Sequence, residues 1–262
     1  MIESTTDKLK LELDGTTAVV TIDNPSANVW DAESLEGLRD LVLGLNAEQD
    51  VYALVITGRG EKFFSAGADL NVFADGDRAN ARLMARRFGE AFETLAAFRG
   101  VSVAAINGYA MGGGLECAMA CDLRIAETGS VMALPEGTVG LLPCGGGTQN
   151  LAWIVGEGWA KRMILCGERV DAQTALRIGL VEEVVETGTA LERAKGLAAA
   201  VAKQSPTAVA ACKQLIHAAR SGPVAGAYAA EREAFVDLFD TEDQKEGVNA
   251  FLGKRSPVWK NA

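Results

Sequence analysis

Three consecutive glycines, Gly112, Gly113 and Gly114, stand between a short apolar run and a helix-forming run, and no other feature constrains the chain as tightly. Residues 101–106 are apolar and too closely flanked by glycine for a helix, so they predict a buried strand that ends at the turn pair Asn107-Gly108. Beyond the glycines, Leu115, Ala118, Met119 and Ala120 are good helix formers, and Glu116 is the only charged residue among them. Such a corner aims the N–H groups freed at the helix start toward whatever lies above it. With no Cβ atoms in the way, a ligand oxygen can approach the backbone closely.

The same pattern recurs along the chain. Residues 52–57 read as a strand, residues 63–70 (Phe-Phe-Ser-Ala-Gly-Ala-Asp-Leu) as a second corner of small residues, and residues 78–98 as a helix. Strands are expected again at 122–126 and 130–134, followed by a glycine corner at 140–148 and a helix through Leu151, Ile154 and Val155. A repeated strand–strand–helix unit predicts a stack of turns rather than one flat sheet. Ahead of it, alternation over 9–13, the pair Asp14-Gly15 and a second strand at 18–22 predict a hairpin. Asp31 then caps a helix with apolar Leu35, Leu38, Leu41, Val42 and Leu45. Asp171 caps another over 172–178, and residues 180–185 form a last strand. After Thr187 the chain turns alanine-rich, with helices expected to residue 203, over 206–220, 225–239 and 245–254. The expected division is an α/β core over 1–187 and a helical region over 188–262 whose apolar faces suit packing against another copy.

Charge narrows the partners. With 35 acidic against 25 basic residues the net charge is −10 and the sequence pI about 4.8, which disfavours nucleic acid and anionic membrane surfaces. An anionic substrate would need a local cluster of Lys or Arg. No run of apolar residues is long enough to span a bilayer and no basic stretch followed by an apolar one opens the sequence, so the expected location is cytoplasmic. The odd set of five cysteines fits small buried hydrophobes in a reducing compartment. Cys117 and Cys121 share a helical face, yet no further ligand sits at metal-binding spacing, so no metal is expected. His217 is the only histidine, and its alanine-rich helical setting argues against a Ser-His or Cys-His nucleophile.

Two backbone N–H groups from separate corners, converging on one oxygen, would form an oxyanion hole. Glu116 and Glu136 both lie in apolar, glycine-containing contexts that raise a carboxyl pKa and suit it for proton transfer. At Glu116 the helix N-terminus acts in the opposite direction.

Taken in order, Ser65-Ala-Gly-Ala-Asp-Leu70, Asn107-Gly-Tyr-Ala-Met-Gly-Gly-Gly-Leu-Glu-Cys-Ala-Met-Ala-Cys-Asp122, Pro135-Glu136, Gly145-Gly-Gly-Thr-Gln149 and Glu246-Gly-Val-Asn-Ala-Phe251 resemble the crotonase superfamily, and within it the enoyl-CoA hydratases and isomerases. The resemblance covers essentially the whole chain. It implies a crotonase-like (ββα) spiral core with a C-terminal helical oligomerisation region, assembled as a homotrimer or a dimer of trimers. It further implies an enoyl-CoA substrate and no separate cofactor, since CoA belongs to the substrate. The amides of Ala68 and Gly113 would grip the thioester oxygen. Glu116 would activate water and Glu136 exchange the α-carbon proton. Ala27, Ala66, Asp69, Leu70, Tyr109 and Gly112 would line the CoA-ester cleft, and Lys260, with Lys254, Arg255 and Trp259 nearby, would meet the phosphates. Ser26-Ala27-Asn28 stands where many hydratases carry a Lys or Arg, which weakens that phosphate contact. The 141–144 run (Leu-Leu-Pro-Cys) departs from the short-chain pattern and leaves the acyl preference open. The hydratase reading has two rivals: an isomerase, which commonly lacks the carboxylate matching Glu116, and a non-enzymatic acyl-CoA-binding member.

Overall fold

The structure is a computed structural model that describes residues 3–74, 76–220, 222 and 224–262. It opens with β1 (Leu9–Asp14) and β2 (Thr17–Ile22), paired antiparallel from Leu9–Ile22 to Asp14–Thr17 about a turn with Gly15 at φ 59°. Helix α1 (Ala32–Ala47) starts at a capping box in which Asp31 and Ser34 satisfy each other's backbone amides. Its five expected apolar positions, Leu35, Leu38, Leu41, Val42 and Leu45, are all buried.

Three strand–strand–helix units follow. The first is β3 (Ala53–Gly58), β4 (Phe63–Ser65) and α2 (Arg78–Ala96). The second is β5 (Val101–Ile106), β6 (Tyr109–Met111) and α3 (Gly113–Ala120). The third is β7 (Leu123–Glu127), β8 (Val131–Ala133) and α4 (Gly147–Leu165), which kinks at Gly156. Strand β9 (Val170–Asp171), α5 (Ala172–Ile178) and β10 (Glu183–Val185) complete the sheets. The first strand of each unit joins a six-stranded sheet, β1-β2-β3-β5-β7-β10, and the second joins a four-stranded one, β4-β6-β8-β9. From β2 to β10 the larger sheet is parallel. This is the spiral of α/β turns that the resemblance implied, and it places every strand-to-helix corner on successive turns of one stack.

The central strands β2, β3 and β5 are buried on both faces, which is why they read as largely apolar runs, whereas the edge strand β1 alternates and is partly exposed. Even-numbered Val20, Ile22, Leu54, Ile56, Ala104 and Ile106 face the main core with Trp30, Phe88 and Phe92. Odd-numbered Val19, Ala53, Val55, Val103, Ala105 and Ile125 face α6 (Ala190–Val201), whose Ala190, Ala194 and Ala198 lie flat against them. The first helix beyond residue 187 is therefore packed into the sheet. Helices α7 (Pro206–Ala218), α8 (Val224–Asp237) and α9 (Glu242–Leu252), with the 3₁₀ turn Leu238–Asp240 between the last two, lie farther out and leave Ile216, Phe235, Phe239, Phe251 and Leu252 exposed. Lys213 anchors α7 to the core, its Nζ donating to the carbonyls of Phe98 and Gly100 and to Asp122.

Asn107 ties two turns of the stack together, exchanging hydrogen bonds with Gly58 and donating to the Gly60 carbonyl. Among the described residues no helix is long and apolar enough to cross a membrane.

Candidate active site

Two corners of adjacent turns meet beneath one cavity. In the first, after β4, Trp30 donates to the Gly67 carbonyl at 2.8 Å and accepts from the Asp69 amide at 2.9 Å. Both bonds of that parallel bridge flank Ala68, so the Ala68 amide points away from Trp30. In the second corner Gly112 donates to the Ala133 carbonyl, and Gly113 begins α3 with an amide that a helix cannot satisfy internally. The corners touch through their glycines. A Cβ on Gly114 would stand 2.3 Å from the Ser65 carbonyl oxygen, and one on Gly67 would stand 3.3 Å from the Gly113 nitrogen. Only residues without side chains let the two backbones come this close.

The two glutamates reach this place from different directions. Glu116 lies in the first turn of α3 and is 2 % exposed. Its Oε1 accepts from the Gly145 and Gly147 amides, each at 2.8 Å, and the Cys144 amide also favours its charged form. Gly147 opens α4, so a second helix N-terminus faces the carboxylate. Burial outweighs these donors and holds the Glu116 pKa above the usual carboxylate range. Glu136 opens a 3₁₀ turn, Glu136–Val139, directly after Pro135. Both of its carboxylate oxygens are sealed from solvent and, among the described residues, neither has a hydrogen-bond partner. Its pKa is raised to about 7, first by burial and further by the charge of Glu116, against the pull of its own backbone amide. Glu136 lies over the second corner, since a Cβ on Gly112 would be 3.1 Å from its Oε1.

A cavity of about 200 Å³ collects seven of the expected residues: Ala66, Ala68, Leu70, Gly112, Gly113, Glu116 and Glu136. Ala27 stands one contact away, its carbonyl accepting from the Ala66 amide. Asp69 turns aside and caps the 3₁₀ turn Leu70–Phe73 through the Asn71 amide and side chain. Tyr109 lies elsewhere, its ring packed 5.7 Å from that of Phe63 and its edge on a surface depression with Lys62 and Asn107. Lys260 is exposed on a C-terminal strap that folds back over α9. Asp243 holds the strap through the amides of Lys260 and Asn261, and Trp259 packs on Gly247. Arg255 is paired with Glu246. Within one chain these cations do not line the cavity.

Sequence reasoning missed Phe73, Phe88 and Val139 as lining residues, and the Gly145 and Gly147 amides as the donors that hold Glu116. Phe88 was visible only as one apolar position of α2, and the glycine run only as a helix start. Among the described residues no three His, Cys, Asp or Glu side chains are grouped to hold a metal. Cys117 and Cys121 are buried thiols, with burial raising Cys121 to about 12, whereas Cys144, Cys166 and Cys212 are exposed and do not fit the expected buried hydrophobes. His217 lies 3.7 Å from Asp122 beside a second cavity of about 530 Å³ between α3, α4 and α7.

The family profile described as "Enoyl-CoA hydratase/isomerase" matches residues 12–262. The chain belongs to the enoyl-CoA hydratase/isomerase family. It is 39 % identical over 247 residues to the "Short-chain-enoyl-CoA hydratase" of Clostridium acetobutylicum, covering 94 % of each chain. Among solved structures, Pseudomonas aeruginosa DspI superposes with a TM-score of 0.95 at 66 % identity over 97 % of both chains. An enoyl-CoA hydratase from Bacillus anthracis gives 0.94 at 32 % identity, over 98 % of this chain and 100 % of its own. Family membership fixes the fold as crotonase-like and the broad activity as that of an enoyl-CoA hydratase/isomerase family enzyme.

Proposed function

We propose that this enzyme is an enoyl-CoA hydratase, adding water across the 2,3-double bond of an enoyl-CoA thioester. The observation that carries the reading is the meeting of two acids with raised pKa and the Ala68 and Gly113 corners, on separate turns of the spiral, around one cavity. The thioester oxygen accepts hydrogen bonds from the Ala68 and Gly113 amides, which makes the β-carbon electrophilic and stabilises the enolate. Ionised Glu116 takes a proton from water as its oxygen bonds to the β-carbon. Glu136, which still holds a proton near pH 7, delivers it to the α-carbon. No group besides the substrate's own CoA is needed for these proton transfers. Lys260, borne on the exposed strap, serves the CoA phosphates of a neighbouring copy in a homotrimer or a dimer of trimers.

One observation favours the isomerase reading: Glu116 Oε1 is already engaged by two amides, as a purely structural carboxylate would be. Substitution separates the two. Glu116→Gln and Glu136→Gln are each expected to lower crotonyl-CoA hydration about 10²- to 10⁴-fold, with acyl-CoA affinity nearly unchanged. Near-parental hydration in Glu116→Gln rejects its role as the water base. Retained double-bond migration in that variant, with hydration absent from the parent as well, makes the enzyme an isomerase.

A further inference from the structure

Among the described residues, the wall of the cavity beyond the glutamates is mostly apolar and carries no cation. Phe73 and Phe88 line its interior, and Leu70, Val139, Leu141 and Leu142 form its rim. Those four rim side chains are 50, 52, 43 and 68 % exposed, respectively, although each also faces the cavity. None of the described lining residues is a Lys, Arg or His, and the ionisable side chains that do line it are Glu116, Glu136 and Cys144. An acyl chain whose carbonyl sits on the corners has this apolar wall to run along, and each added carbon can cover more of its exposed rim.

Resting on the hydratase reading for the position of the thioester, we propose that the acyl group this site takes is an apolar chain longer than four carbons, with no carboxylate at its end. Two physical effects act together. Each methylene laid on the exposed leucines and valine removes apolar surface from water, which strengthens binding about three- to fourfold per methylene. A terminal carboxylate would instead be drawn out of water toward two acids with no cation to meet it. Leu141 and Leu142 belong to the run that departs from the short-chain pattern, so sequence and cavity point to the same wall.

The test is calorimetric titration of the intact protein with butyryl-, hexanoyl-, octanoyl- and glutaryl-CoA, beside hydration rates for the matching straight-chain 2-enoyl-CoA esters. Affinity rising about tenfold for each two carbons from butyryl to octanoyl, with glutaryl-CoA bound more weakly than butyryl-CoA, supports the proposal. In Leu142→Ser the gain from hexanoyl to octanoyl should shrink to about threefold or less. A flat or falling series, or glutaryl-CoA bound as tightly as hexanoyl-CoA, overturns it. Because the ligands are saturated, the binding series judges the acyl class even where no ester is hydrated; that second result would remove the hydratase reading alone.

Discussion

At Glu136, burial and the nearby Glu116 act in the same direction, and together they keep a proton on the carboxyl up to about pH 7. In the unfolded chain that proton leaves near the ordinary value of 4.5. Between those values the folded state binds more protons than the unfolded one, so this group makes stability fall as pH rises. Glu136→Gln removes the effect, and its stability relative to the parent should be higher at pH 8 than at pH 5 in urea unfolding. An equal difference at both pH values would contradict the raised pKa. On the hydratase reading the same proton is the one delivered to substrate, so hydration should decline as pH rises through about 7, where Glu136 ionises. A rate that keeps climbing from pH 6 to 9 would deny Glu136 the acid's part. Beneath both glutamates, Gly114 admits the Ser65 carbonyl at a distance that a methyl group forbids. Gly114→Ala should cost about 1–3 kcal/mol in unfolding and slow hydration by forcing the corners apart; unchanged values of both would show that the contact is not tight.

Helix α6 shows where periodicity speaks and where it falls silent. Ala190, Ala194 and Ala198 mark one face at a spacing any packed helix would show. That spacing does not say whether the partner is a sheet of the same chain or another copy, and the structure seats the face on the six-stranded sheet. Ala194→Leu should therefore overpack that contact and lower stability by about 1–3 kcal/mol, as measured by thermal or urea unfolding; a neutral result would mean that the helix is loosely held. By contrast, the hairpin, α1 and the three strand–strand–helix units were legible because turn residues and apolar periods agreed locally. The strand expected over 180–185 shortens to Glu183–Val185 because the Leu180 amide is taken by the Ala175 carbonyl at the end of α5. At the site, the glycines and both acids were readable as residue types. The bonds from Gly145 and Gly147 to Glu116 were not, since they join positions 29 and 31 apart. Nothing local marked Tyr109 as packing on Phe63 or Lys260 as part of a strap held by Asp243.

The whole molecule divides its apolar surface between two uses. The sheet and α1–α6 bury most of theirs internally, with Leu43, Leu83, Trp153 and Leu165 among the exceptions, whereas α7–α9 and the turn between them leave Tyr228, Phe235, Phe239, Phe251 and Leu252 in solvent within one chain. If those side chains meet other copies, removing residues 206–262 should give a folded monomer, and removing 188–262 should give insoluble protein, because the second cut strips α6 from the sheet. Light scattering on the full chain should then report a multiple of three; a full-length monomer would leave the outer helices without that role. The central claim concerns the corners themselves. It is tested most directly by a crystal structure of the enzyme with a bound acyl-CoA thioester. The account predicts the thioester oxygen within hydrogen-bonding distance of both the Ala68 and Gly113 nitrogens, with the carboxylates of Glu116 and Glu136 flanking the α- and β-carbons. A thioester lodged in the cavity beside Asp122 and His217, or held by neither amide, would contradict it.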